Sequence, residues 1–139
     1  MKPDTGEADM TLPTSSYLKR ALTIDALMTG ATALLLVFAA GVLGRLLAVP
    51  EPLLRYAGIA LVPFVVFVAI IARRPAVPRG TVLAIIGLNV AWVAASVWLL
   101  FGGRIQPNAL GYAFIIAQAV AVALFAEIQY VGLRRATST

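Results

Sequence analysis

Two carboxyls stand in otherwise apolar sequence. Asp25 lies in ALTIDALMTG and Glu127 in ALFAEIQYVG. An ionisable side chain in lipid is costly, so where one persists it usually faces a bundle interior, a partner or the interface, and it often marks an ion or proton path. Both residues fall one to two helical turns from the same predicted membrane face, given a rise of about 1.5 Å per residue. If the first and fourth helices touch, Asp25 and Glu127 form a candidate ligand or ion site. The plainer reading ties each to Arg20, Arg73, Arg134 or Arg135 near the headgroups, because side chains close to span ends snorkel. That plainer reading carries more weight.

The neutral polar residues are few and regularly spaced. Asp25, Thr29 and Thr32 recur at i, i+4, i+7, which is one helix face; Asn89, Trp92 and Ser96 share a face in the same way. Gln118 is expected near mid-depth of the last span, level with Asn89, so an Asn89–Gln118 contact is the first expectation for the bundle centre. Such groups join transmembrane helices at about 0.6 kcal/mol each and up to about 2. The functional alternative is a polar pocket for a small ligand. Gly87, Ala91 and Ala95, with Ala117 and Ala121 on the last span, make small-residue stripes that permit close helix packing.

The elements that must position these residues are long apolar runs. Of 139 residues, 61% are hydrophobic and only 12% charged, and the mean hydropathy is +0.94. A soluble domain is about half apolar and about a quarter charged. Crossing a hydrocarbon core takes roughly 20 helical residues, and four runs suffice. The expected spans are residues 20–47, 52–72, 81–101 and 107–133. They make an all-α, four-helix transmembrane bundle over 18–135, with neighbours antiparallel because the loops are short. Residues 1–17 are too polar to bury a core and read as a disordered tail; 136–139 form a C-terminal tail. A signal-peptide core runs about 7–15 residues, and the first apolar run is about twice that, so it reads as an uncleaved anchor. Pro63 falls inside the second span and is expected to kink it. Gly102-Gly103 reads as the cap of the third.

Charge gives orientation. Lys2, Lys19, Arg20, Arg73, Arg74, Arg79, Arg134 and Arg135 fall on one side, against Arg45, Arg55 and Arg104 on the other. The positive-inside rule then puts both termini in the cytoplasm. The net charge of +5 is explained by these flanks, and nothing points to nucleic acid. There is no Cys and no His, which removes disulfides, Cys/His metal centres and a Ser-His-Asp triad. No phosphate-cradling loop, H-E-x-x-H or G-x-S-x-G occurs. The chain is therefore expected to be no enzyme, with no catalytic residue, metal or cofactor.

Three stretches, LLRYAGIALVPF at 53–64, NVAWVAASVWLL at 89–100 and AQAVAVALFAEIQYVGLRR at 117–135, together resemble small uncharacterised bacterial four-span integral membrane proteins. The resemblance implies a fold and a bacterial inner-membrane location, and brings no activity with it. The leading expectation is a non-enzymatic membrane protein acting through helix–helix contacts, as a homo-oligomer or beside a membrane-protein partner. The alternatives are a small proton-coupled carrier or ion-conducting oligomer using Asp25 and Glu127, and a binder of a lipid- or quinone-like molecule in a pocket lined by Asn89, Trp92, Ser96 and Gln118.

Overall fold

The computed structural model describes residues 11–13 and 15–137. The chain runs β1 (Thr11–Pro13), α1 (Ser16–Phe38), α2 (Ala40–Leu47), α3 (Glu51–Arg73), β2 (Ala76–Pro78), α4 (Arg79–Phe101) and α5 (Ala109–Thr137). Four of these helices, α1, α3, α4 and α5, are long and apolar enough to cross a membrane. Twenty-three residues at about 1.5 Å each extend about 35 Å, against a hydrocarbon core of about 30 Å. Leu27, Phe38, Tyr56 and Phe101 are 68–83% exposed, an outward surface that only an apolar solvent tolerates on this scale. The protein is an all-α, multi-pass membrane protein.

Helix boundaries follow local chemistry. Ser15 opens α1, its hydroxyl accepting from the Leu18 amide at 3.2 Å, as an N-cap does. Pro52 sits in the first turn of α3, where its missing N–H costs nothing. Gly102 caps α4, donating to the Trp98 carbonyl at 2.7 Å, and Gly103 takes the positive φ of 74° that glycine accepts without strain. Inside α3, Pro63 leaves the Ile59 carbonyl without its helical donor. Asn108 does two jobs: Oδ1 accepts from the Gly111 amide at 2.8 Å, while Nδ2 donates to the Leu46 carbonyl at 2.8 Å. It thereby starts α5 and ties it to the end of α2.

Several boundaries differ from the sequence-based expectation: α1 begins at Ser16, four residues early, α4 at Arg79, two residues early, and α3 is one residue longer at each end. The single helix expected over 20–47 is two helices, parted at Ala39 (φ −117°, ψ 21°). Ala39 is a good helix former, so the break is tertiary: α2 turns to pack on α3 and α5. The expected disordered tail over 1–17 lies outside the described residues at 1–10 and 14. Of the rest, Thr11–Pro13 pairs antiparallel with Ala76–Pro78, Leu12 opposite Val77, and Ser16 and Tyr17 belong to α1. The last helix starts at Ala109 and continues to Thr137, two residues later and four residues further than expected.

The helices are not evenly packed. α1 lies closely along α3, α4 along α5, and α1 also touches α5. Two apolar clusters close the ends of this arrangement. One joins Leu18, Leu22, Val68, Ile71, Ile85 and Leu133; the other joins Leu36, Ala40, Leu47, Leu54, Ile105 and Ile115. Between the two clusters the core carries buried polar side chains and is partly open.

Candidate functional site

Asp25 is fully buried and is the hub of a hydrogen-bonded layer. On its own helix Thr29, one turn on, donates its hydroxyl to Asp25 Oδ1 at 2.8 Å. From α4, Asn89 Nδ2 donates to Oδ2 at 3.0 Å. From α5, Gln129 Nε2 donates to the same oxygen at 2.6 Å. The second hydrogen on Asn89 Nδ2 goes to Gln129 Oε1 at 3.0 Å. Three helices thus meet on one carboxyl whose hydrogen-bond partners are all uncharged. Asn89 and Gln129 are themselves buried, as a group so far from water must be to keep its partners.

A second polar cluster lies further along α4 and α5. Trp92 Nε1 donates to Gln118 Oε1 at 2.8 Å. Gln118 Nε2 donates to Ser96 Oγ and to the Ile115 carbonyl, each at 3.0 Å. Ser96 donates back to the Trp92 carbonyl at 2.8 Å. Asn89, Trp92 and Ser96 therefore do share one face, which is turned toward α5 and, at Asn89, also toward α1.

The expected Asn89–Gln118 contact does not form: Asn89 is held by Asp25 and Gln129, and Gln118 by Trp92 and Ser96. Sequence reasoning misses Gln129. A signal for it exists, because Gln118 and Gln129 are eleven residues apart, about three turns, and so lie on one face. The same geometry removes the Asp25–Glu127 pair. Positions 127 and 129 are about 200° apart round a helix. With Gln129 turned to Asp25, Glu127 points away, and it is exposed.

Between the clusters lies a chamber of about 700 Å³, within the usual range of about 300–1,000 Å³ for small-molecule sites. All four long helices wall it. Met28, Thr29 and Thr32 come from α1, Pro63, Phe64 and Phe67 from α3. Leu88, Asn89 and Trp92 come from α4, and Phe114, Gln118 and Phe125 from α5. A second cavity of about 400 Å³ has Thr32, Trp92, Phe114 and Gln118 as walls in common with it, and adds Ser96. Neither Asp25 nor Glu127 lines either cavity.

The small-residue stripes also land elsewhere than expected. Gly87 and Ala91 are exposed, and a Cβ built on Gly87 would meet nothing within 4 Å. Ala95 is exposed and borders the second cavity. Ala117 and Ala121 line the chamber, so their small size leaves space between helices instead of closing it. The close approaches use Gly58, Gly111 and Gly132, where an added Cβ would press on α1, on the Leu47 carbonyl, and on Tyr17 and Leu18.

Comparison with protein families, curated proteins and solved structures finds no match for this chain.

Proposed function

We propose that this protein binds a small amphiphilic molecule, lipid- or quinone-like, inside the membrane, and that it does so as a binding protein and not as an enzyme. The chamber carries this reading. It is largely apolar, is walled by all four spans while partly open to the outside, and has amide, hydroxyl and indole groups on its wall, the composition by which ligand sites combine affinity with orientation. A carrier driven by Asp25 or Glu127 has less support, since both carboxyls lie away from the cavities. The open Gly87–Ala91 face is the surface best suited to a second copy or a membrane-protein partner, and such contact is compatible with ligand binding.

The experiment is direct. Protein purified in mild detergent is extracted with organic solvent, and the extract is examined by mass spectrometry beside the Ala117→Phe/Ala121→Phe variant. Both positions line the chamber, so two rings there obstruct it while every residue of the Asp25 layer is kept. The expected result is a near-stoichiometric amphiphile in the wild type and at least about tenfold less in the variant, a ratio equivalent to about 1.4 kcal/mol. Equal retention by both would sink the reading.

The setting is a bacterial inner membrane, with neighbouring spans antiparallel and both termini in the cytoplasm. Support comes from the basic flanks and from the apolar clusters, one of which joins the start of α1 to the ends of α3 and α5. The chain has no native cysteine, so single-cysteine variants report cleanly. Pro75→Cys is expected to react with an impermeant maleimide only in inside-out vesicles, and Gln106→Cys only in right-side-out ones. Both positions are exposed. The reverse pattern would invert the topology.

A further inference from the structure

The hydrogen-bonding groups on the chamber wall are unequal in what they leave free. Every side-chain polar hydrogen on that wall is already spent. Thr29 donates to Asp25 and Thr32 to the Met28 carbonyl. Asn89 gives one amide hydrogen to Asp25 and the other to Gln129. Trp92 donates to Gln118, whose own two go to Ser96 and the Ile115 carbonyl. Acceptors are left over. Asn89 Oδ1 is the other polar atom of that amide, and it has no hydrogen-bond partner among the described residues, although Asn89 is only 4% exposed. The two donors of Nδ2 each face an oxygen, so the amide cannot be flipped without losing both bonds. The hydroxyls of Thr29 and Thr32 donate, and no donor among the described residues faces their oxygens.

A buried acceptor without a donor is unfavourable. A ligand that brings a donor relieves it, whereas a ligand that brings only acceptors adds another unpaired group. The remaining wall is aromatic: Phe64, Phe67, Trp92, Phe114 and Phe125, a surface on which a ring packs by offset or edge-to-face contact. From these two observations together, and resting on the reading of the chamber as a ligand site, we propose that it selects a hydroxylated aromatic head group on an apolar tail. This is the chemistry of a phenol or a quinol, preferred over the corresponding ether or quinone. Selection works by hydrogen-bond polarity: the acceptor at Asn89 Oδ1 takes the ligand's hydroxyl proton as a hydrogen bond, and a carbonyl or ether at that place meets a carbonyl.

The test uses two probes of nearly the same shape, 4-nonylphenol and its methyl ether, 4-nonylanisole, which differ in the donor. The full chain is placed in lipid nanodiscs in a Trp98→Phe background. This leaves Trp92 as the one tryptophan of the two in the sequence, and Trp92 is on the chamber wall. Its emission is followed on titration, with each probe's concentration corrected for its partition into empty nanodiscs. The phenol is expected to give a saturable change with a Kd about tenfold lower than the ether, as expected for one buried hydrogen bond made or missed. Ala121→Phe is expected to abolish both responses. Equal Kd values, or a tighter ether, overturn the donor preference while leaving the chamber occupied. A response to neither probe, or one that Ala121→Phe leaves unchanged, overturns the chamber reading itself.

Discussion

Asn89→Leu is expected to destabilise the folded bundle by about 2–4 kcal/mol, far beyond the roughly 0.6 kcal/mol typical of one interhelical hydrogen bond in a membrane protein. Asn89 holds two partners at once, Asp25 Oδ2 and Gln129 Oε1. Leucine breaks both bonds and leaves a fully buried carboxyl with fewer donors. Removing one partner from a buried charged or strongly polar group costs more than the contact itself, because the remaining group keeps its desolvation penalty. The companion variant decides the cause. Replacing Asp25, Asn89 and Gln129 together by leucine removes the group that needs solvating, and buried polar clusters exchanged whole for apolar residues are often near neutral. The triple variant is therefore expected within about 1 kcal/mol of wild type. Unfolding in mixed dodecylmaltoside–SDS micelles, followed by tryptophan emission, measures wild type and variants on one scale. Ser96→Ala provides the ordinary reference, since Ser96 bonds Gln118 and its own helix. If Asn89→Leu costs no more than Ser96→Ala, the layer does not hold Asp25 in the way its geometry indicates.

The two polar clusters also divide what residue spacing decides from what it leaves open. Four runs of apolar sequence have only one physical use, and all four are candidate spans. Asp25–Thr29 and Asn89–Trp92–Ser96 are visible as helix faces because spacing alone decides them. Which face meets which is not visible in the sequence. Asp25 pairs across 64 residues with Asn89 and across 104 with Gln129, and these registers depend on how far α5 slides along α1. Depth counting puts Glu127 level with Asp25, but depth says nothing of azimuth, and azimuth is what excludes it. The break at Ala39 has only a weak local signature: no proline or glycine sits at 38–40, and Gly41 follows two residues on. It exists because α2 packs on α3 and α5, where Asn108 grips its last turn. The chamber is illegible for a related reason. Alanines at 117 and 121 read as a packing stripe, and only the fold shows that no neighbour fills the space they leave.

Gly58→Val is expected to be the most damaging change to the α1–α3 pair, with an apparent loss of about 3 kcal/mol or failure to accumulate in the membrane. Gly58 is buried about two turns into α3, and a Cβ there would lie 2.8 Å from Leu36 Cβ, 2.9 Å from Val37 Cγ2 and 3.0 Å from the Val37 amide nitrogen. The last of these belongs to the backbone and cannot swing aside. The neighbouring contacts have little freedom: Leu36 belongs to the apolar cluster that closes one end of the chamber, and the Val37 carbonyl accepts from Arg55 Nε at 3.4 Å. Overpacking of this kind usually costs about 1–3 kcal/mol. Here it also pushes α1 away from α3, so the wall shared by Thr32 and Leu61 opens. Gly87→Val is the control on an equally apolar helix. Its Cβ meets nothing within 4 Å, so the monomer should tolerate it within about 0.5 kcal/mol, the usual range for a surface change. The pair of measurements separates two meanings of a small residue in a span. A glycine at a real contact is sensitive to one methyl group, while a glycine on an open face becomes sensitive only if a second helix covers it. Cross-linking of Gly87→Val against wild type reads that second case: loss of a dimer with unchanged monomer stability marks the α4 face as an interface, and no change leaves it facing lipid.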